Sequence, residues 1–309
     1  TIDGEVSKSC ITNQPNRFTA SNWSVFKCDG HDPDSINAAI NEAKKSILPS
    51  LIQCTTHIGF GSPSKQDKAS SHGSPLGEEE IKKIREIYNW PYPPFEIPKE
   101  IKTKWRQIGL KGMKESDKWE HYFGLLSSNK KEKFNRILNC DLPSNFSQKI
   151  NSLKKKTSEL QPSMGSRKSS ELTLELLNKI LPETIGGSAD LTGSNNTLTE
   201  GLGTLGPENP KGRYVYYGIR EHVMASVMNG MALHGGILPY GGTFMAFTDY
   251  ARGGMRLSAL MGIRVIYVMT HDSIGLGEDG PTHQPVEHLA MLRATPNMLV
   301  LRPADTVET

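Results

Sequence analysis

Apolar positions in the first part of the chain predict a strand, a helix and a second strand. Short apolar runs at residues 23–28 and 51–54 are typical of strands, and apolar residues recur at helical spacing over 36–47. Asp32 followed by Pro33 marks the start of that helix, because aspartate caps helix N-termini and proline is tolerated in the first turn. This order of elements predicts a parallel sheet.

The polar character of residues 78–160 sets this segment apart. An acidic first turn opens a helix at Glu78, a proline-rich passage at 91–95 ends it, and Lys-rich amphipathic helix continues to about Leu160. We expect a connector that lies across the surface. The chain is therefore predicted to form two domains, residues 1–160 including this connector and residues 161–309.

The α/β pattern resumes in the second domain. Leu172, Leu176 and Ile180 lie on one stripe of a predicted helix that ends at residue 180. Strands are predicted at 184–188, 214–217 and 265–269, and helices at 221–234 and 244–261. The expected fold class is α/β, with two doubly wound, mostly parallel-sheet domains of which the first is incomplete.

Composition narrows the functional classes. A net charge of +3 gives no reason to expect nucleic acid as a partner. The residues are 36% hydrophobic, and the chain contains no apolar run long enough to span a membrane. The four cysteines lack metal-type spacing, which favours reduced thiols and a cytoplasmic protein. Because Thr1 is not a natural start and residues 307–309 begin a helical pattern, we expect a fragment cut at both ends.

The richest candidate chemistry lies in the loop 270–287, which follows the predicted strand 265–269. Loops at the ends of buried strands are where α/β proteins place binding and catalytic groups. Glycines and prolines hold five titratable side chains together here, namely His271, Asp272, Glu278, Asp279 and His283. We interpret this loop as a ligand-binding or catalytic site.

Glu221 and a row of aromatic residues form a second candidate. A carboxylate that enters an apolar helix needs a hydrogen-bond partner or a proton, although an acidic first-turn residue is an equally good interpretation. Phe244, Phe247 and Tyr250 would share one helix face, which is more typical of a core than of a cofactor pocket. The preceding glycines at 241–242 would let the backbone approach a ligand.

Polar residues near the predicted strand 184–188 are ambiguous. Asp190 and Ser194 could cap a helix or bind substrate hydroxyls and phosphate. Arg167 and Lys168 lie at a helix start, where a cation suits a phosphate but where surface residues are equally expected. The glycine spacings match neither a P-loop nor a dinucleotide fingerprint.

Together these motifs resemble those of transketolases, which are enzymes that depend on thiamine diphosphate. The resemblance covers essentially the whole chain, as a central fragment that lacks both ends of the family's sequence. It rests on seven segments, residues 2–4, 29–32, 59–63, 71–77, 187–191, 217–221 and 270–287.

The resemblance implies roles for the residues around the cofactor. Glu221 matches the glutamate that hydrogen-bonds the aminopyrimidine ring of thiamine diphosphate. Phe244, Phe247 and Tyr250 match the aromatic pocket of that ring, in place of the core role favoured by spacing. Asp190 matches a residue on the thiazolium side.

Further roles implied by the resemblance concern catalysis and the substrate. His72, His271 and His283 match histidines around the reacting carbons and substrate hydroxyls, and His72 also matches a cofactor contact. The remaining substrate-binding matches are Asp279 at a hydroxyl, and Arg167, Ser194 and His283 at the phosphate.

The resemblance also implies an activity and its partners. Transketolases transfer a two-carbon ketol unit from a ketose phosphate to an aldose phosphate in the pentose phosphate pathway. They are homodimers with active sites at the subunit interface. The ligands of the Mg²⁺ or Ca²⁺ ion that holds the diphosphate would lie upstream of Thr1, so no metal ligand is expected within the chain, and the isolated chain is expected to be inactive.

Other interpretations remain open at this point. A metal-dependent hydrolase could use the four ligand-type residues His271, Asp272, Asp279 and His283. A truncated, non-catalytic chain could complete the site of a partner. Within the same chemistry, dihydroxyacetone synthase and deoxyxylulose-phosphate synthase are alternatives, although residues 278–285 fit transketolase better than the latter.

Overall fold

The computed structural model describes Ile2 and residues 4–309; Asp3, part of the first motif above, lies outside the described residues. The chain divides into two compact units, the first ending at Ser116 and the second running from Asp117 to Thr309. Every strand pair described within the two sheets is parallel, which confirms the predicted α/β class. Within the described part, no helix combines the length and apolarity that crossing a membrane requires.

The first unit contains the predicted strand–helix–strand element. Its elements are α1 (Gln14–Ala20), β1 (Ser24–Asp29), α2 (Pro33–Ala43), β2 (Ser50–Thr55) and α3 (Glu78–Ile87). β1 and β2 pair in parallel, from Ser24 opposite Ser50 to Asp29 opposite Thr55. The Asp32 carboxylate accepts a hydrogen bond from the backbone N–H of Asp34 at 3.0 Å, so the predicted cap of α2 is confirmed.

Three helices make up the rest of the polar segment, α4 (Lys99–Gly124), α5 (Ser128–Leu138) and α6 (Phe146–Leu160). Most of their residues are exposed, as expected of a surface connector. However, α5 is tied to the second unit's sheet. The Arg136 guanidinium donates two hydrogen bonds to the Glu183 carboxylate, at 2.8 and 3.0 Å, and Glu183 directly precedes the first strand of that sheet.

The second unit is built on a four-stranded parallel sheet. Its elements are α7 (Ser166–Ile180), β3 (Thr184–Ser188), α8 (Thr192–Asn195), β4 (Tyr214–Tyr216), α9 (Glu221–His234), β5 (Leu238–Phe244), α10 (Thr248–Met261), β6 (Ile266–Thr270) and α11 (His288–Arg293). The strand order is β4-β3-β5-β6. Each strand is followed by a turn or helix that starts at the same edge of the sheet.

The strand β5 was not predicted, and the predicted helix at 244–261 starts too early. Pro239, Gly241 and Gly242 lower strand propensity, yet β5 is buried between β3 and β6. A Cβ at Gly241 would lie 2.7 Å from the sulfur of Met228, and one at Gly242 2.8 Å from a methyl carbon of Thr197. These glycines admit protein side chains, rather than a ligand as expected.

A buried polar network fixes the middle of this sheet. The Asn178 side-chain amide donates hydrogen bonds to Thr199 at 2.8 Å and to the Tyr240 hydroxyl at 2.9 Å. Tyr240 in turn donates to the backbone carbonyl of Thr197 at 2.8 Å, and its burial raises its pKa to about 12. The network holds α7 and the chain after α8 against β5, and so fixes the edge that carries the candidate site.

Candidate active site

The predicted site residues of the second unit follow the carboxyl ends of its four strands. Asp190 follows β3, Glu221 follows β4, Phe244 ends β5 and His271 follows β6. Because the strands are parallel, these ends lie at one edge of the sheet, which is where open α/β sheets bind ligands. Residues that are far apart in the sequence therefore converge.

Aromatic and imidazole rings form a continuous cluster at this edge. The rings of Phe244 and His271 stack with their centroids 3.7 Å apart. Phe247 lies nearly parallel to Phe244 at 5.7 Å, and His283 meets Phe247 edge-on at 5.1 Å. Tyr250 continues the row, 5.9 Å from Phe247. The cluster provides a flat apolar surface edged by two imidazoles, which suits a planar ring ligand.

The aromatic row does not come from one helix face, as the spacing predicted. Phe244 is the last residue of β5, Phe247 lies in a single 3₁₀ turn, and Tyr250 lies in α10. The rings line up because the chain turns from strand to helix at this point. Phe244 is buried, whereas Tyr250 is 66% exposed and marks the outer end of the row.

Glu221 is the first residue of α9 and is 7% exposed. In the part of the chain that the structure describes, no group hydrogen-bonds its carboxylate. The neighbouring Arg220 guanidinium donates instead to the Tyr217 carbonyl at 3.1 Å. A buried carboxylate without a partner is costly, so this group is suited to bind a ligand that can share a proton with it.

A chain of hydrogen bonds with a fixed direction ends at His271. Ser188 donates to the Gly242 carbonyl at 3.1 Å, so its oxygen accepts from the Asn195 amide nitrogen at 3.3 Å. The Asn195 carbonyl oxygen accepts the only hydroxyl proton of Thr270 at 2.6 Å. Nδ1 of His271, 2.9 Å from that hydroxyl oxygen, must then be the donor. In the neutral ring Nε2 is left as a proton acceptor.

The surroundings of His271 favour this neutral form. Burial lowers the pKa of its imidazole, and the positive charge of Arg167 lowers it further. Asp279 and Asp272 raise it, while His283 lowers it, and the net effect is a pKa below the usual 6.5. His271 also has φ +55°, a left-handed conformation that non-glycine residues rarely adopt.

Polar groups for a substrate lie close to this histidine. An Arg167 guanidinium N–H donates to the Ser194 carbonyl at 3.3 Å, which joins the start of α7 to α8. Arg167 and Asp279 are exposed and both act electrostatically on His271. Asp190 is exposed with φ +62°. The guanidinium of Arg167 and the carboxylate of Asp279 therefore lie near the proton acceptor of His271.

His72 belongs to the first unit. It is exposed and directly follows a 3₁₀ turn, Ala69–Ser71. Its role with the cluster in the second unit stays a prediction.

Potential metal ligands group elsewhere in the second unit. Asp249, Glu287 and His288 have ligand atoms within 4.8 Å of one another, the one such group among the described residues. Nε2 of His288 lies 3.1 Å from the Ala246 carbonyl and 3.2 Å from the Asp249 carboxylate. This mixed set does not suit Mg²⁺ or Ca²⁺, which prefer oxygen ligands. The ligand set expected for a hydrolase, His271, Asp272, Asp279 and His283, does not form such a group.

Sequence reasoning missed Asn195 and Thr270 as site residues. Both are buried, and together they orient His271. Thr270 directly precedes His271, which was a usable signal, whereas Asn195 lies on a different element and only the parallel sheet brings it close.

The parallel sheets, with aromatic and titratable groups gathered at the strand ends, define a ligand-binding α/β protein of the doubly wound class. Residues 1–143 match the thiamine diphosphate binding domain of transketolase, and residues 163–309 match the transketolase pyrimidine binding domain. The chain belongs to the transketolase family.

Individual relatives agree with this assignment. A transketolase of Rhodobacter capsulatus is 56% identical over 309 residues, which are 100% of this chain and 46% of that protein. The structure of transketolase from Leishmania mexicana matches with a TM-score of 0.89 and 37% identity, over 100% of this chain and 46% of that one. Transketolase from Pichia stipitis in complex with sedoheptulose-7-phosphate matches with a TM-score of 0.89 and 36% identity, over 100% and 48%. The chain spans about half the length of these relatives.

Proposed function

We propose that this protein acts as a transketolase, transferring a two-carbon ketol unit from a ketose phosphate to an aldose phosphate in the pentose phosphate pathway. The observation that carries the proposal is the stack of Phe244 on His271 at the sheet edge that also carries the unpartnered, buried Glu221, in a chain of this family. The Pichia stipitis relative was solved with a sugar phosphate, which supports this substrate class.

Thiamine diphosphate is the proposed cofactor, and the residues present fit its aminopyrimidine half. Glu221 offers a buried carboxylate to a ring nitrogen, and Phe244, Phe247 and Tyr250 offer the flat apolar surface. The chemistry that the bound cofactor supplies is a carbon nucleophile and an electron sink. Asp190 is assigned to the thiazolium side, and His72 is assigned to a further cofactor contact.

The histidines handle protons in this proposal. Nε2 of His271 accepts a proton from a substrate hydroxyl, since Nδ1 is committed as a donor to Thr270. The lowered pKa of His271 keeps the ring neutral at physiological pH and ready for this role. His283 and His72 serve as further donors or acceptors around the reacting carbons. His271 is half-buried, with one face of its ring stacked on Phe244.

Arg167 is proposed to bind the substrate phosphate. A guanidinium that is exposed and held near Ser194 suits an anion with several oxygens. Ser194 and His283 complete this subsite, and Asp279 accepts a hydrogen bond from a substrate hydroxyl.

The wider assembly is also part of the proposal. The diphosphate would be held by Mg²⁺ or Ca²⁺, whose ligands in this proposal lie outside this chain. Residues 1–160 would belong to the diphosphate-binding domain with its connector, and 161–309 to the pyrimidine-binding domain. A cytoplasmic homodimer, with the active site shared between subunits, completes the proposal.

A ketol-transfer assay with the protein expressed from its complete reading frame tests this function. With a ketose phosphate donor, Arg167→Gln should raise KM about tenfold or more and leave kcat nearly unchanged, because a charged hydrogen bond contributes roughly 1.5–3 kcal/mol. The matched control is Lys168→Gln, since Lys168 is the adjacent cation and pairs with Glu171. Wild-type protein without transfer, or equal effects of the two variants, would contradict the proposal.

A further inference from the structure

Two cysteines face each other across the small sheet of the first unit. Cys28 of β1 and Cys54 of β2 are directly paired in the parallel register. Their sulfur atoms lie 3.4 Å apart, and the Cys28 thiol donates to the Cys54 sulfur. Cys28 is buried, whereas Cys54 is exposed. The Cys54 thiol is therefore accessible to solvent, and the buried Cys28 thiol lies in contact with it.

The geometry of a parallel strand pair permits a bond between these sulfurs. Neighbouring strands lie about 4.8 Å apart, and disulfides join residues whose Cα atoms are roughly 4.4–6.8 Å apart. The two sulfurs, now 3.4 Å apart, would have to close to a bond length of about 2.05 Å. The other two cysteines, Cys10 and Cys140, are exposed and contact no thiol in the described part of the chain.

We propose that Cys28 and Cys54 form a reversible thiol-oxidation site, in which a small-molecule disulfide oxidises them to an intramolecular disulfide. The Cys54 thiolate attacks one sulfur of the small disulfide, forms a mixed disulfide and releases one small thiolate. The Cys28 thiol then loses its proton and attacks the Cys54 sulfur, which releases the second small thiolate. Two protein thiols are oxidised, and the small disulfide is reduced to two thiols.

The order of attack follows from the surroundings of the two sulfurs. Burial raises the pKa of the Cys28 thiol, and its hydrogen bond to Cys54 raises it further. Cys28 therefore stays protonated, and its S–H donates to the exposed Cys54 sulfur. Cys54 is the attacking residue, and Cys28 resolves the mixed disulfide.

The Cys28–Cys54 pair lies next to the loops that follow β1 and β2. Each cysteine is one residue before the end of its strand. Beyond the strand ends, the backbone N–H of His57 donates to Nε2 of His31 at 2.7 Å, and His31 stacks on Phe60 at 3.7 Å. A disulfide between the strands would therefore change the positions of the loops that carry His31 and His57.

Oxidised glutathione added to the full chain tests the proposal. After the remaining thiols are alkylated, intact mass and peptide mapping should show a Cys28–Cys54 link that a dithiol reductant reverses. The link should exceed any pairing with Cys10 or Cys140 by at least about tenfold, because thiols held in contact have a far higher effective concentration. Cys28→Ser should trap glutathione on Cys54, and Cys54→Ser should leave Cys28 unmodified.

The double variant Cys10→Ser, Cys140→Ser is the matched control and should form the link as the wild type does. Circular dichroism of each variant shows whether it is folded. The disulfide mapping of the wild type tests the proposal even if a variant does not fold. Glutathione that remains on Cys54 of the wild type without a link would overturn the proposal. So would equal yields of links to Cys10 or Cys140.

Discussion

The hydroxyl oxygen of Thr270 lies 2.9 Å from Nδ1 of His271 and can only accept a hydrogen bond there. Its single proton is already donated to Asn195. The fold thus sets the tautomer of His271 before any ligand binds, and leaves Nε2 as the free proton acceptor. This relationship connects the buried core of the sheet to the chemistry at its edge.

Replacement of Thr270 by valine should allow both neutral tautomers of His271 to form. Thr270→Val keeps the side-chain shape but leaves the buried Asn195 oxygen without its donor, at a cost of roughly 1–3 kcal/mol in the free energy of unfolding. Nitrogen-15 NMR of the imidazole should show a mixture of tautomers in place of Nδ1–H alone. Thr282→Val is the matched control, because Thr282 makes the same 2.9 Å contact with the Nδ1 of His283 at an exposed position. Equal tautomer populations in wild type and Thr270→Val would contradict the assignment.

Two charges of opposite sign should move the pKa of His271 in opposite directions. Arg167 lowers this pKa and Asp279 raises it. Histidine NMR titration should therefore give a higher pKa for Arg167→Gln and a lower one for Asp279→Asn than for wild type. Lys168→Gln should leave the pKa of His271 unchanged, since Lys168 is not among the charges that act on this ring. A shift of the same sign in the first two variants would show that one of the two charges does not act as described.

The lowered pKa of His271 makes stability depend on pH with a definite sign. Because the folded pKa lies below the unfolded value of 6.5, the unfolded chain binds more protons as the pH falls past that value. The stabilising contribution is present above pH 6.5 and is lost as the pH falls through the folded pKa. Denaturant unfolding of His271→Gln should thus lose less stability than wild type between about pH 7 and pH 5. If the free energy of unfolding changed equally with pH in the two proteins, the contribution of His271 would be ruled out.

The ion pair between Arg136 and Glu183 should matter more than the exposed pairs. Their side chains are 18% and 10% exposed, and Glu183→Gln would leave a largely desolvated guanidinium without its charge partner. We expect a loss of about 3 kcal/mol in the free energy of unfolding. Glu159→Gln, which removes an exposed partner of Lys155, should cost under about 0.5 kcal/mol. Chemical denaturation distinguishes the two, and similar losses would argue against the burial effect.

Periodicity predicted those parts of the fold whose residues follow one clear pattern. The helices α2 and α7 carry apolar residues at helical spacing, and both were predicted within a few residues. The strand β5 was missed because its glycines and proline oppose strand propensity, and only burial between two neighbours makes it a strand.

Site prediction from the sequence had a similar limit. Glu221 and His271 were found because a carboxylate at an apolar helix and histidines in a glycine-rich loop are visible in the sequence. The row of Phe244, Phe247 and Tyr250 was predicted to share a helix face, whereas a strand-to-helix turn aligns the rings. Asn195 could not be predicted, since its contact with Thr270 spans 75 residues and depends on strand order.

Glu221 provides the most direct test of the whole account. With protein from the complete reading frame, ketol transfer in the presence of thiamine diphosphate should fall by about 10²-fold or more in Glu221→Gln, since the buried carboxylate handles a proton. Glu200→Gln, an exposed change in the same unit, should keep full activity. Absence of ketol transfer in the wild type, or full activity in Glu221→Gln, would contradict the account.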